Sequence, residues 1–354
     1  MSSLPSLLLL VVFLGCAAAI WLAGVKLSDT VDVLSARLHL GAALGGVILL
    51  AVATNLPEIA ITASAALGGQ VDVAVGNILG GIAIQTVVLV VLDAAGVRPR
   101  KPLTYLAASL TLLLEGGIVV AMLLVVVMAT QLPKDLIVAR VTPGALLLAV
   151  LWGVGLVLLR RAGRGLPWHE GGDAPDNQEK PRGHSQATKE SQATEQHRGT
   201  GRVAAVFAVA ALVTLVAGVL IERSGEELFG RYGLSGVLFG ATVLAAATSL
   251  PEVSTGLTST RLGDYQLAVS DIFGGNAFLP VLFLLATVLS GKAVLPTAHA
   301  SDIYLTALGG LLTVVYMAGL VFRPQRQYLR MGPDSIVVLA AYVLGIAGLV
   351  FVSG

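Results

Sequence analysis

Two glutamates, Glu58 and Glu252, each directly follow a proline inside an apolar stretch, in the hexapeptides Ala-Thr-Asn-Leu-Pro-Glu (53–58) and Ala-Thr-Ser-Leu-Pro-Glu (247–252). A carboxylate in hydrocarbon costs at least about 2.5 kcal/mol, and two of them about 4 Å apart repel by about 4 kcal/mol at an effective dielectric of about 20. Protons or cations must neutralise such a pair. Pro57 and Pro251 have no amide hydrogen, so the carbonyls of Ala53 and Ala247 lose their helical donor and the helix kinks or opens. In a membrane, irregular backbone is tolerated where it is buried in protein or lines a wet cavity. Loosened carbonyls, the Thr54 and Thr248 hydroxyls and two carboxylates make an all-oxygen donor set. Calcium, with about 6–8 flexible oxygen ligands, suits it better than a transition metal. The plainer reading is a protonated Glu hydrogen-bonded to a neighbouring helix, beside a simple proline kink. Finding the pair twice, each time after a proline, weighs against that.

The two hexapeptides belong to a longer repeat at an offset of 194 residues, since Ala-Val-Gly-Asn-Ile-Leu-Gly-Gly (74–81) matches Ala-Val-Ser-Asp-Ile-Phe-Gly-Gly (268–275). Shared Ala, Val and Gly mean little in this composition; a Thr, Leu, Pro and Glu quartet at identical spacing means more. The glycine pairs Gly80-Gly81 and Gly274-Gly275 allow close helix approach, expected to press the third helix on the second and the eighth on the seventh. Asn77 and Asp271 occupy equivalent positions, and for Asp271 a place in the same cavity and a capping or interfacial role both stay open.

The elements that carry these residues must be membrane helices. The chain has 354 residues, 56% hydrophobic and 12% charged, with a mean hydropathy of +0.87. About 20 apolar residues span a bilayer as a helix, and ten such stretches occur, near 6–25, 40–67, 73–94, 103–129, 142–160, 203–221, 234–260, 266–289, 302–322 and 334–353. The expected fold is an all-α membrane protein of ten transmembrane helices in two inverted five-helix repeats. Residues 1–161 form the first repeat with its core at 45–90, 162–202 a flexible cytoplasmic linker, and 203–354 the second repeat with its core at 239–284. Because five is odd, the second half starts on the other side of the membrane, which inverts the repeat. Placing the N-terminus outside puts seventeen of the 22 Lys and Arg in inner loops, so both termini are expected outside and the linker inside.

The linker is polar and aperiodic, and the irregular spacing of His169, His184 and His197 points to a solvated loop rather than a metal site. Cys16, the one cysteine, reads as a packing residue within the first span. Asp93, Glu222 and Asp302 fall near span ends and read as interfacial; Glu115 lies inside the fourth span without a repeat partner, a minor accessory candidate. A net charge of +1 gives no reason to expect nucleic acid.

At these residues the sequence resembles the sodium/calcium exchanger family of cation/calcium antiporters, which has ten helices and two inverted alpha-repeats carrying Gly-Thr-Ser-Leu-Pro-Glu and a following Gly-Asn, Gly-Ser-Asn segment. The matching cores cover 54–86 and 248–280. The resemblance implies that Glu58 and Glu252 bind Ca2+, that Thr54 and Thr248 add oxygens, that Asn55 and Ser249 stand at the motif serine, and that the carbonyls of Ala51 and Ala245 face the site. Departures follow: the family serine is Gly81 and Gly275, the next Asn is Ile82 and Asn276, and the central polar positions are Gln85 and Leu279. Gln85 and Asn276, with Asp271 and Asn77, remain accessory candidates.

The resemblance implies a secondary active antiporter, not an enzyme, without cofactor, that exchanges Ca2+ for Na+ or H+ across the cell membrane by alternating access; its partners are inorganic cations and the lipid bilayer. A Ca2+/H+ exchanger and a degenerate homologue moving another cation are the near alternatives. A non-transporting membrane sensor or scaffold would need a folded soluble region, which the linker's composition does not support. No nucleophile-and-base pattern marks an intramembrane enzyme.

Overall fold

A chain whose solvent is lipid has to satisfy its backbone hydrogen bonds within each segment, and in a computed structural model this chain does so with helices. The structure describes residues 4–37, 52–97, 101–163, 165–168 and 200–353. The first half comprises α1 (Ser6–Arg37), α2 (Leu56–Gly68), α3 (Val71–Gly96), α4 (Leu103–Ala107), α5 (Leu110–Thr130) and α6 (Pro143–Ala162). The second comprises α7 (Thr200–Gly230), α8 (Gly236–Thr248), α9 (Leu250–Leu262), α10 (Tyr265–Ser290), α11 (Ala300–Phe322) and α12 (Pro333–Ser353). Among the described residues, eight helices are long and apolar enough to cross a membrane, and α8 with α9, bent by 41° at their junction, makes a ninth. The stretch expected to complete a tenth span with α2, residues 40–51, lies outside the described residues, as does most of the 162–202 linker.

The repeat reaches well beyond its motifs. α1 and α7, α2 and α9, and α3 and α10 begin at positions 194 residues apart, and α2 and α9 both end at a left-handed glycine, Gly69 and Gly263. From α5 onward the offset falls to 190: α5 and α11 start at Leu110 and Ala300, and α6 and α12 at Pro143 and Pro333. The shorter link before α11, 291–299 against 97–109, accounts for the change. Even the tight turns before α6 and α12 correspond, with Ala139 and Arg140 matching Leu329 and Arg330 in the left-handed region and the bridge Val138–Val141 matching Tyr328–Met331. Ordinary chemistry starts the helices: Pro143 and Pro333 open α6 and α12, where a missing amide hydrogen costs nothing, and Asp264 accepts from Leu267 N (3.0 Å) at the head of α10.

α3 lies at the centre, with 83% of its span buried, whereas α6 and α12 turn most of their surface outward. α1 and α7 pack along one another and run to Arg37 and Gly230, past the ends expected at 25 and 221. Charged residues ended those spans in the sequence, but the fold accommodates them, as with Glu222 buried against Ser64 at 3.1 Å.

The glycine pairs act differently from the expectation. Gly80 rests on the π-turn of α8, so close that a Cβ would stand 2.2 Å from Ala241 Cα, and a Cβ on Gly76 would stand 2.9 Å from Val237 O. Gly275 faces Asn55 and Gln85. These glycines therefore join the two halves, not the neighbouring helices within one half that the sequence led one to expect, because the repeats interleave around α3 and α10.

Candidate cation site

Both proline breaks place a carboxyl at the start of a helix. Asn55 and Ser249 leave the helical conformation (φ −85° and −79°, ψ 12° and 3°), and α2 and α9 restart immediately after them, so Glu58 and Glu252 lie in the first turns. The unpaired amides and the positive end of the dipole at a helix start favour negative charge there.

The two carboxyls are fully buried and meet across the repeat axis: Glu58 lies beside the Thr248 hydroxyl and Glu252 beside that of Thr54, each threonine coming from the other half. Glu58 and Asp271 are close enough to Glu252 to act on it as like charges. Among the described residues neither Glu58 oxygen, nor Glu252 Oε2, has a hydrogen bond of ordinary geometry. Two buried, nearby and poorly satisfied carboxyls call for positive charge between them.

Gln85 sits between the halves. Its Nε2 donates to Asn55 Oδ1 (3.3 Å) and Glu252 Oε1 (3.4 Å), while its Oε1 has no partner among the described residues. Asn276 Nδ2 donates to Thr86 Oγ1 (3.1 Å), Asp271 accepts from Thr255 Oγ1 (2.7 Å), and Asn77 is buried with neither amide atom hydrogen-bonded among the described residues. The Ala245 carbonyl is already engaged: it accepts from Ser249 N (3.0 Å), Ser249 Oγ (2.8 Å) and Thr248 Oγ1 (3.2 Å). Its equivalent, Ala51, lies outside the described residues. Glu58, Glu252, Thr54, Thr248, Asn55 and Gln85 thus converge, whereas Ser249 and Ala245 bond to each other.

Crowding explains one departure from the family pattern. A Cβ on Gly275 would stand 2.9 Å from Asn55 Nδ2 and 3.3 Å from Gln85 Oε1, but one on Gly81 would meet only Leu279 Cδ1, at 3.2 Å. Overpacking a tight interior costs about 1–3 kcal/mol. Gly275→Ser, although it restores the family residue, should therefore displace Asn55 and cut calcium transport several-fold, about tenfold at 1.4 kcal/mol; Gly81→Ser should cost less. Tracer uptake by the two variants at equal protein levels checks the order.

Several buried polar groups were missed or misread. Asp93, expected at the interface, is buried and accepts from Leu103 N (2.8 Å), Gly332 N (2.6 Å) and Ser335 Oγ (2.7 Å), tying α3 to the starts of α4 and α12. Asp302 is likewise buried and caps α11 through His299 N (2.7 Å). Glu115 accepts from Ser270 Oγ (2.9 Å) next to Asp271. A span-end position looks interfacial in sequence, but these carboxyls meet protein donors rather than water. Thr255 is three residues after Glu252, and serines and threonines are too common nearby for that spacing to stand out.

The sequence model of the family described as sodium/calcium exchanger protein matches residues 8–160 and 202–351. Inner membrane protein YrbG of Escherichia coli (strain K12) is 30% identical over 261 residues, 73% of this chain and 72% of that protein. Among solved structures, the H+/Ca2+ exchanger CAX superimposes with a TM-score of 0.66 at 14% identity, over 97% of this chain and 82% of that one. The sodium-calcium exchanger NCX_Mj, soaked with 2.5 mM Na+ and 0.1 mM Ca2+, superimposes with a TM-score of 0.60 at 17% identity, over 97% and 98%. At such identities the two structures bear on the fold.

Proposed function

The chain belongs to the sodium/calcium exchanger protein family, a family of cation antiporters rather than enzymes, and from that premise we propose that it exchanges Ca2+ for Na+ or H+ through one site centred on Glu58 and Glu252. The observation that carries this reading is the exchange of partners across the repeat axis, Glu58 with Thr248 and Glu252 with Thr54. Each carboxyl is held by its own half and faced by the other, so a rocking movement of the halves changes the side from which the pair is reached and leaves the donors in place.

The rest of the arrangement follows from the same reading. α2 and the residues before it complete a tenth span; 1–161 and 203–354 are inverted repeats; 162–202 is cytoplasmic, with both termini outside a cell membrane. Glu58 and Glu252 hold Ca2+, Thr54, Thr248 and Asn55 complete the oxygen set, and Gln85 turns its Oε1 towards the ion. Ser249, Ala245 and Ala51 are outer members of the set, with Asn276, Asp271 and Asn77 as accessory polar groups.

One Ca2+ balances two carboxylates, as do two monovalent ions. Sodium needs several further oxygens, and Gly81, Gly275 and Leu279 supply no side-chain oxygen while Gln85 Nε2 occupies Asn55 and Glu252. A proton needs only the carboxyl itself. These observations favour protons as the counter-ion, with one Ca2+ exchanged for two H+ without net charge. H+/Ca2+ exchange is also what the name of CAX states for that protein. The test is calcium tracer uptake by proteoliposomes, driven first by an outward sodium gradient and then by an outward proton gradient. The expected result is uptake on the proton gradient with weak sodium dependence; a steep sodium dependence, with current following calcium flux, would contradict proton coupling.

A further inference from the structure

Polar side chains of α2 and α7 lead from an open cavity to Glu222, beyond which Gly218 packs on Pro57 and Ala60 next to Glu58. Gly218, Glu222 and Glu226 stand four residues apart on α7, and so form one stripe on the helix. Gly218 packs on Pro57, where a Cβ would be 3.1 Å from Pro57 O; Glu222 accepts from Ser64 Oγ (3.1 Å); Glu226 accepts a short hydrogen bond from Gln70 Nε2. The cavity at the far end, of about 770 Å³, is lined in part by Ser64, Gln70, Arg223, Glu226 and Arg231. It lies on the N-terminal side of the fold, since Arg231 Nη1 donates to Leu4 O (3.0 Å).

Glu222 is fully buried, and its Oε1 has no hydrogen-bond partner among the described residues. The charged groups acting on it are Glu226 and Arg223 of its own helix. α2 contributes Ser64, and one turn away on α7 Gly225 packs against the rings of Phe239 of α8 and Phe13 of α1. One carboxyl and one hydroxyl fall far short of the about 6–8 oxygens calcium takes. A proton needs one oxygen. In the other half the residue 194 positions earlier is Ser28, so the carboxyl is confined to one half.

We propose that Glu222 is a proton-carrying station between this cavity and Glu58. It rests on the antiport reading only for the use made of the proton. A proton from cavity water beside Ser64 adds to Glu222 Oε1 and leaves a neutral carboxylic acid; it then departs to water admitted between α2 and α7 when the halves move apart, which carries it towards Glu58 and restores the carboxylate. Ser64 and Glu58 are six residues apart on α2, about 9 Å along the helix, a gap that water and not direct contact has to bridge.

The test uses full-length protein in liposomes, with Glu222→Gln, Glu222→Asp and Glu58→Gln. Infrared difference spectra on acidification from the cavity side should contain a protonated-carboxyl band that is lost in Glu222→Gln and kept in Glu58→Gln. Proton-driven calcium uptake should fall by about tenfold or more in Glu222→Gln and recover in large part in Glu222→Asp, with calcium binding unchanged in both. An unaltered spectrum, or a native uptake rate and pH profile in Glu222→Gln, would overturn the proposal. Failure of the antiport reading is separately visible, as an absence of calcium uptake in native protein, and leaves the infrared outcome decisive for the proton station.

Discussion

Replacing either central glutamate by glutamine, Glu58→Gln or Glu252→Gln, is expected to reduce calcium transport by at least about 100-fold, equivalent to about 2.8 kcal/mol. The attraction between a divalent ion and one carboxylate about 4 Å away is about 8 kcal/mol at an effective dielectric of about 20, and desolvation offsets only part of it. Glutamine keeps the shape and hydrogen-bonding reach of the side chain and is cheaper to bury, so the variants should insert and remain folded. Tracer flux normalised to the folded protein in the membrane is the relevant measurement. A native rate in either variant would remove that glutamate from the site.

The second large effect is structural. Gly80→Ala places a Cβ 2.2 Å from Ala241 Cα and 2.7 Å from Ala241 O, which are backbone atoms that cannot rotate away. Overpacking costs about 1–3 kcal/mol where side chains can adjust; here α3 and α8 must separate, and the loss should exceed that range. Gly117→Ala on α5 is the matched control, because a Cβ there meets nothing within 4 Å. Thermal melting in detergent should show Gly80→Ala strongly destabilised or unfolded and Gly117→Ala near native. Equal melting temperatures would mean that the α3–α8 approach is not as close as described.

Much of this architecture was legible in the chain because lipid makes polar residues conspicuous. Glu58 and Glu252 stood out as candidates, and the structure buries both side by side; the 194-residue offset anticipated the common starts of α1 and α7, α2 and α9, and α3 and α10. The change to 190 after α10 was not legible, since the later helices carry no motif by which to align them. Which helices the glycines join was also hidden: Gly80 says that something comes close, but only the fold says that it is Ala241. Gln85 drew attention through the family pattern, yet its bonds to Asn55 and Glu252 depend on how α3 threads between the halves. The lengths of α1 and α7 were misjudged because charge was read as a span end, whereas Glu222 is buried where α7 packs on α2.

The central claim, that Glu58 and Glu252 form one calcium site, is tested most directly by equilibrium calcium titration of the purified protein beside the Glu58→Gln/Glu252→Gln double variant, in calorimetry at fixed pH and without sodium. The account predicts one saturable calcium ion per native chain and none in the double variant at the same folded concentration. Calcium binding of unchanged stoichiometry and affinity in the double variant would contradict it.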